Sequence, residues 1–236
     1  MLPAAGRVAM ISGATRGIGR AIAERLGQAG YRLSLGARDP AALLAAFGPE
    51  GPDRIHAAYE AESRAGQEDW IARTLAVWGR IDALINNAGI SNRFSIEAGA
   101  EADLDRVWAV NVKAPLFLTR ACLPHLRAAG AGRVVNISSL SGKRVRNENV
   151  AYNMSKHALM ALSHGTRRIG WADGVRVTAI CPSFVRTDLT SDVTKLAPEE
   201  MIDPADLAEL VATVLALPNS AALAEMHVNC RLEDQY

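Results

Sequence analysis

The chain has little cysteine, and its histidines form no regular pattern of metal ligands. Among its 236 residues are three cysteines, Cys122, Cys181 and Cys230, and five histidines without an H-x-x-x-H pair. Widely spaced cysteines in odd number are typical neither of a disulfide framework nor of a metal site. We therefore expect no bound metal, and the cysteine usage fits a reducing cytoplasm.

The chain also lacks a strong net charge and a long apolar run. Lys and Arg number 26 against 25 Asp and Glu, a formal net charge of +1, which gives no electrostatic reason to bind nucleic acid or an anionic membrane. No apolar run approaches the ~18 residues that a membrane span needs. The opening MLPAAGRVAM lacks the pattern of a signal peptide. We expect a cytoplasmic protein with no nucleic-acid or membrane partner.

Short apolar runs of β type alternate with longer helical stretches, as in a parallel sheet with crossover helices. The chain has no internal repeat and no Pro-, Gly- or Ser-rich linker. We therefore predict one α/β domain over residues 1–236, a doubly wound sheet of about seven mostly parallel strands with helices on both faces. The predicted strands are Val8–Ser12, Arg32–Ala37, Arg54–Ala58, Ala83–Asn86, Gly132–Ile137, Val175–Ile180 and Glu225–Val228, and the main helices Gln67–Trp78, Asp103–Arg127, Tyr152–Trp171 and Pro204–Leu217.

A glycine-rich segment, SGATRGIG over residues 12–19, lies between the first predicted strand and the first predicted helix. Gly13, Gly17 and Gly19 would let backbone N–H groups approach a pyrophosphate, and the helix N-terminus would add partial positive charge. Glycine clusters are often plain connecting loops, but the strand before and the helix after are the context that the motif requires. The segment predicts dinucleotide binding.

A tyrosine and a lysine stand four residues apart at Tyr152 and Lys156, thirteen residues after Ser139. Positions i and i+4 share one helix face. An ammonium about 4 Å from a phenolate stabilises it by roughly 4 kcal/mol, which would lower the phenol pKa from about 10 toward 7. General acid–base catalysis works best there. The pair is a candidate acid–base group, although Tyr-x-x-x-Lys also occurs by chance in many helices.

Four motifs in this order resemble those of the short-chain dehydrogenase/reductase family. They are the glycine segment, the Asn86-Asn87-Ala88-Gly89 turn, Asn111, and the Ser139/Tyr152/Lys156 group. The resemblance covers roughly residues 7–217. It implies a Rossmann-type domain that transfers hydride between a nicotinamide cofactor and a small carbonyl compound or its alcohol.

The resemblance also implies roles for the catalytic group. Tyr152 would protonate the carbonyl oxygen, and Ser139 would hydrogen-bond the same oxygen. Lys156 would lower the tyrosine pKa and bind the nicotinamide ribose. Asn111 would hold a water in the proton path to Lys156.

The resemblance further implies the cofactor-binding set. In the family an acidic residue ends the second strand and repels a 2′-phosphate, whereas here Ala37 is followed by Arg38. Arg38, with help from Arg16, suits a phosphate and favours NADP over NAD. Asp39 could oppose this, but before Pro40 it is better explained as a helix cap. The set is Gly13, Thr15, Arg16, Gly17, Ile18, Gly19, Arg38, Glu60, Asn87, Ala88, Gly89, Tyr152, Lys156, Pro182, Val185 and Thr187.

Two positions depart from the family pattern. Glu60 stands where an aspartate is common at the adenine edge, and Ser183 replaces the glycine after Pro182. A serine there would restrict the turn if its φ were positive, so the path toward Thr187 is left open.

Three segments, 90–103, 140–151 and 184–203, are the expected substrate loops. Lys143, Arg144 and Arg146 cluster in the second and Arg93 lies in the first. They could bind a carboxylate or phosphate of an acidic substrate, or could form a solvated or subunit-contact face. By resemblance, the helices over 103–127 and 152–171 would pair in a homodimer or homotetramer.

The predicted function is an NADP-dependent alcohol/carbonyl oxidoreductase. Two other readings of the same family are an NAD-dependent dehydrogenase and a non-catalytic NADP-binding sensor or scaffold protein. A sugar epimerase or dehydratase of the extended relatives would need a longer substrate region than residues 184–236 provide. The sequence names neither the substrate nor the direction.

Overall fold

The sheet has seven strands, all parallel, in the order β3-β2-β1-β4-β5-β6-β7. The computed structural model describes residues 1–233, so residues 234–236 of the predicted domain lie outside the described residues. The predicted doubly wound α/β fold is confirmed. The strands are β1 (Val8–Ser12), β2 (Arg32–Ala37), β3 (Arg54–Ala58), β4 (Ala83–Asn86), β5 (Arg133–Ile137), β6 (Arg176–Pro182) and β7 (Glu225–Val228).

The chain reverses its winding at β1, which pairs with β2 on one side and β4 on the other. Helices that leave the two neighbouring strands in opposite directions open a crevice at the carboxyl ends of those strands. The glycine segment follows β1 and the Asn87-Ala88-Gly89 turn follows β4. The topology therefore brings both predicted cofactor motifs to one edge of the sheet.

Helices cover both faces of the sheet, and each face has its own apolar core. On one face Ile22 and Leu26 lie in one buried cluster with Leu207 and Val211. On the other face Trp70 lies in a second buried cluster with Leu118 and Leu126. Within residues 1–233 no helix is long and apolar enough to cross a membrane. The helices are α1 (Gly17–Gln28), α2 (Pro40–Phe47), α3 (Arg64–Trp78), α4 (Glu101–Trp108), α5 (Ala114–Ala128), α6 (Val150–Gly170) and α7 (Pro204–Ala216).

The helix predicted over Asp103–Arg127 is interrupted. A π-helical turn, Ala109–Lys113, separates α4 from α5. Periodicity did not predict this turn, because it is shorter than the window of about 11–18 residues over which helical spacing is read. Such turns often occur at functional sites, and this one contains Asn111.

The first turn of α3 offers a test of local helix stability. Gly66 has ordinary backbone angles, and a Cβ built on it would lie 3.4 Å from Ser63 Oγ, an ordinary contact. We expect Gly66→Ala to raise the free energy of unfolding by about 0.5–1 kcal/mol, because alanine loses less backbone entropy on folding. Gly79→Ala is the matched control: Gly79 ends the same helix at φ +70°, so it should destabilise. Thermal unfolding measures both, and a Gly66→Ala loss would contradict the argument.

Candidate active site

The glycine segment forms a tight turn that packs against its own backbone. Gly13 and Gly17 have φ of +69° and +54°, a region that favours glycine. A Cβ on Gly19 would lie 2.2 Å from the carbonyl oxygen of Gly13. All three glycines are therefore required by this path of the chain.

The turn is fastened to the end of β4 through Asn87 and Ser12. Asn87 Nδ2 donates to the carbonyl oxygens of Ser12 at 3.0 Å and Gly13 at 3.1 Å. Ser12 Oγ accepts from the backbone N–H groups of Asn87 at 3.0 Å and Ala88 at 3.1 Å. Ser12 was missed by the sequence reasoning, since a serine at a strand end carries no distinctive signal. The side chain of Asn87, expected to bind cofactor, thus also supports the turn.

These residues fit the pyrophosphate of a dinucleotide. The glycine turn has no side chains at positions where a Cβ would collide with neighbouring atoms, so its backbone is not covered by side chains there. Arg16 stands at the N-cap of α1 and makes no side-chain cap hydrogen bond. Helix N–H groups without a protein acceptor are suited to an anion. Ile18 and Gly89 line the adjoining cleft.

The two arginines expected to bind a 2′-phosphate have different surroundings. Arg38 is exposed just beyond β2 and has no ion-pair partner among residues 1–233. Arg16 instead contacts Asp188 at 2.6 Å across the cleft mouth. This ion pair is exposed and does not test whether Arg16 supports Arg38 at a 2′-phosphate, so that expectation stays a prediction.

The nearby acidic residues are placed as follows. Asp39 Oδ1 accepts from the N–H of Ala41 at 2.9 Å, which confirms the predicted helix cap with Pro40 at the first helical position. Glu60 is exposed after β3, and its role at the adenine edge stays a prediction.

The two serines after β5 make different hydrogen bonds. Ser139 lines the cleft, and its Oγ accepts from the N–H of Ser141 at 3.0 Å. Ser138 is buried, and its Oγ donates to the carbonyl oxygen of Lys156 at 3.4 Å. Both serines line the cleft, and the choice of Ser139 from its thirteen-residue spacing to Tyr152 stays a prediction.

Tyr152 and Lys156 lie one turn apart near the start of α6. Asn149 Oδ1 accepts from the N–H of Tyr152 at 3.2 Å and so caps the helix. The Lys156 ammonium lies 5.5 Å from the centre of the Tyr152 ring and donates to the carbonyl oxygen of Ile137 at 2.9 Å. The tyrosine, the lysine and Ser139 all line the same cleft.

The pKa of Tyr152 differs from the value expected from its spacing to Lys156. Burial raises the pKa of the phenol above its usual value, although a hydrogen bond with Ser139 acts in the opposite direction. Burial also lowers the pKa of Lys156 to about 8. The expected lowering of the tyrosine pKa is therefore wrong for this structure, because desolvation dominates and the ammonium is directed at Ile137.

Asn111, in the π turn, connects two walls of the site. Its Nδ2 donates to the carbonyl oxygen of Ile90 and its Oδ1 accepts from the Ile90 N–H, both at 2.9 Å. Nδ2 also donates to Ser155 Oγ at 3.0 Å. The amide thus joins the segment after Gly89 to the residue before Lys156. The expected water in the proton path stays a prediction.

The segment after β6 passes over the glycine turn. A Cβ on Gly17 would lie 3.1 Å from Thr187 Cγ2, and Val185 is buried beneath. Ser183 accepts a hydrogen bond from the N–H of Cys230 at 2.9 Å. The serine that departs from the family pattern therefore holds the segment that follows β7. Pro182, Val185 and Thr187 all line the cleft.

The cleft has a volume of about 750 Å³ and draws its walls from all three expected substrate loops. The basic cluster is paired with acidic residues: Lys143 contacts Glu225 at 2.7 Å, and Arg144 and Arg146 both contact Glu233. Arg93 is exposed, 3.9 Å from Asp192. The loop after Ser139 therefore carries a charge network that the sequence reasoning did not foresee.

The chain is similar to known proteins over most of its length. The family model described as short chain dehydrogenase matches residues 7–197. The chain is 44% identical over 227 residues to an agropine synthesis reductase of Rhizobium rhizogenes, covering 96% of this chain and 53% of that protein. It thus spans about half the length of that relative. An uncharacterized oxidoreductase of Staphylococcus saprophyticus is 31% identical, covering 94% and 96% of the two chains.

Two solved structures share the fold. A 3-ketoacyl-(acyl-carrier-protein) reductase from Brucella melitensis complexed with NADH superposes with a TM-score of 0.86 at 26% identity, covering 95% of this chain and 96% of that one. A metagenomic short-chain oxidoreductase in complex with NADP superposes with a TM-score of 0.83 at 33% identity, covering 97% and 99%.

Proposed function

The chain belongs to the short-chain dehydrogenase family, and from this we propose that it is an NADP-dependent reductase of a small carbonyl compound. Family membership makes it an oxidoreductase, and a nicotinamide cofactor is supported by the solved neighbours with NADH and NADP. The observation that carries the proposal is the meeting of Ser139, Tyr152 and Lys156 at one cleft beside the glycine turn. The reductive direction is supported by the name of the Rhizobium rhizogenes relative.

In the proposed mechanism, Tyr152 donates its proton to the carbonyl oxygen of the substrate. Its raised pKa keeps the phenol protonated at neutral pH, as an acid in the reductive direction requires. Ser139 Oγ donates a hydrogen bond to the same oxygen and stabilises the developing negative charge. The nicotinamide, when bound, supplies the hydride.

The remaining polar residues position this group and return its proton. Lys156 is buried, with its ammonium 5.5 Å from the centre of the Tyr152 ring, where it would restore the tyrosine proton. Asn111 orients α6 through Ser155. Gly13, Gly17 and Gly19 would hold the pyrophosphate, with Thr15, Ala88 and Gly89 beside them.

The preference for NADP rests on Arg38 in this proposal. A charge-assisted hydrogen bond to a phosphate contributes about 1.5–3 kcal/mol. We therefore expect Arg38→Ala to raise the KM for NADPH by about 10- to 100-fold and to leave the KM for NADH nearly unchanged. Steady-state kinetics with both cofactors measures this.

Arg20→Ala is the control for Arg38→Ala. Arg20 is a neighbouring surface arginine, paired with Glu24 at 2.8 Å, and its loss should affect neither cofactor. The NAD-dependent alternative would be favoured if the wild-type protein prefers NADH. It would also be favoured if Arg38→Ala raises the KM for both cofactors equally.

The buried lysine predicts a pH dependence. The pKa of Lys156 is lowered to about 8, so its ammonium is present below that pH and is lost above it. Because the raised pKa keeps Tyr152 protonated over the same range, kcat/KM for reduction should be level below pH 8 and fall about tenfold per unit above it. Lys156→Arg, whose side chain stays charged, should lower the plateau and remove the decline. A wild-type profile that stays level to pH 10 would contradict this role.

NADPH oxidation with a panel of small carbonyl compounds tests the proposal as a whole. Oxidation of NADPH with one of these compounds would support the reductase. Binding of NADPH without turnover would favour a sensor or scaffold protein. The substrate loops, a cytoplasmic location and assembly as a dimer or tetramer stay predictions. Free Cys122, Cys181 and Cys230 are compatible with a reducing compartment.

A further inference from the structure

Two arginines on the wall of the cleft hold one glutamate. Arg144 donates from Nε at 2.8 Å, and also from Nη2, to Glu233 Oε2. Arg146 Nη1 donates to the same oxygen at 3.2 Å. The side chains of Glu233 and Arg144 are only 5% and 11% exposed. The two guanidinium groups, called here the Arg144–Arg146 seat, form a built binding place for a carboxylate.

The seat lies one turn of chain from the catalytic serine. Ser139 is followed at once by a 3₁₀ turn, Leu140–Gly142. The N–H of Arg144 then donates to the carbonyl oxygen of Leu140 at 3.0 Å, which returns the backbone toward Ser139. Ser139, Tyr152 and the seat line one cleft. One molecule bound in this cleft can therefore contact both Tyr152 and the seat.

The seat stabilises an anion. Burial acts to raise the pKa of Glu233, but the hydrogen bond from Arg144 and the charges of both arginines lower it below its usual value. Among the described residues, Arg231 and Lys195 also line the cleft, together with Asp192.

Glu233 is held in a way that permits its release. All three hydrogen bonds converge on Oε2, whereas arginine binds a carboxylate most strongly through two parallel bonds to both oxygens. Leu232 is already 97% exposed, and the segment is anchored separately where the N–H of Cys230 donates to Ser183. Removing Glu233 from the seat would therefore not pull Leu232 out of the core.

We propose that the Arg144–Arg146 seat binds the carboxylate of a small oxo-acid substrate, and that Glu233 occupies the seat in its place before the substrate arrives. This inference rests on the proposed function for the reacting end, where the oxo group lies at Tyr152 and Ser139. It specifies the substrate class as an acidic carbonyl compound, and it makes Glu233 a specificity-determining residue.

Binding of 4-oxopentanoate and of its methyl ester, measured by isothermal titration calorimetry, tests the seat without turnover. The two probes differ only in the carboxylate charge. In Glu233→Gln we expect the acid to bind about 10-fold more tightly than in the wild type, because an intramolecular competitor is gone, and the ester to be unchanged. The double variant Arg144→Gln/Glu233→Gln removes one of the two guanidinium groups together with Glu233, and its preference for the acid should be weaker than that of Glu233→Gln.

Glu209→Gln is the matched control, since Glu209 forms a surface ion pair with Arg25 and its change alters net charge equally. The proposal is overturned if Glu233→Gln binds the acid no more tightly than wild type. It is also overturned if Glu209→Gln reproduces the gain, or if the double variant prefers the acid as strongly as Glu233→Gln does. NADPH oxidation with the same acid is measured separately: tight binding without oxidation contradicts the proposed reductase, whereas oxidation of both probes without preference contradicts the seat.

Discussion

Tyr152→Phe is expected to lower kcat for carbonyl reduction by about 10²- to 10⁴-fold, the usual contribution of a general acid. Phenylalanine keeps the ring and its packing, and it removes only the hydroxyl. Without that hydroxyl, no group at this position of the cleft can donate a proton to the carbonyl oxygen of the substrate as that oxygen gains negative charge. The loss should therefore fall on kcat rather than on binding.

The dissociation constant of NADPH separates this result from misfolding. Tyr152→Phe should bind NADPH within about threefold of the wild type, since the glycine turn and Arg38 are untouched. Tyr31→Phe is the matched control: Tyr31 is a buried tyrosine that contacts Arg7 at the opposite, amino-terminal edge of the sheet. It should keep full turnover. A Tyr152→Phe variant with near-normal kcat would disprove the proposed mechanism.

Gly19→Ala is expected to weaken NADPH binding by at least about 100-fold, which corresponds to roughly 2.7 kcal/mol. The added methyl group would lie 2.2 Å from the Gly13 carbonyl oxygen and 2.4 Å from Asn87 Nδ2. The amide could rotate away, but the carbonyl is backbone and also lies in a turn with positive φ at Gly13. The turn must therefore open, and the N–H groups that would hold the pyrophosphate move with it.

Gly27→Ala supplies the control on the same helix. A Cβ there would meet only Leu33 Cδ1, at 3.3 Å, and a flexible side-chain end can give way. Fluorescence titration with NADPH and thermal unfolding of both variants distinguish a local from a global effect. Gly19→Ala with wild-type affinity would show that the turn does not hold the cofactor.

Much of the fold was predictable because its signals are local. Buried parallel strands are continuous apolar runs, so β1 through β4 and β7 begin and end as predicted, while β5 and β6 differ by one or two residues. The Asp39 cap followed from adjacent residues alone. The π turn at Ala109–Lys113 could not be predicted, because its apolar pattern is that of an ordinary helix.

Some features of the candidate site were likewise predictable from local sequence, and others were not. Gly13, Gly17 and Gly19, and the spacing of Ser139, Tyr152 and Lys156, are patterns within one or two elements, and sequence reasoning selected them. The partner of Arg16 is Asp188, more than 170 positions away, and that of Lys156 is the carbonyl oxygen of Ile137. Charge pairing of that kind depends on which loops the sheet brings together.

By itself, then, the sequence determined the seven strands, the glycine turn after β1 and the helical spacing of Tyr152 and Lys156, since backbone propensity and helical periodicity act over a few residues. Only the tertiary structure decided that burial raises the pKa of Tyr152, that Asn111 joins Ile90 to Ser155, and that Glu233 lies between Arg144 and Arg146. Desolvation and long-range ion pairs arise when distant segments pack, and no local pattern encodes them.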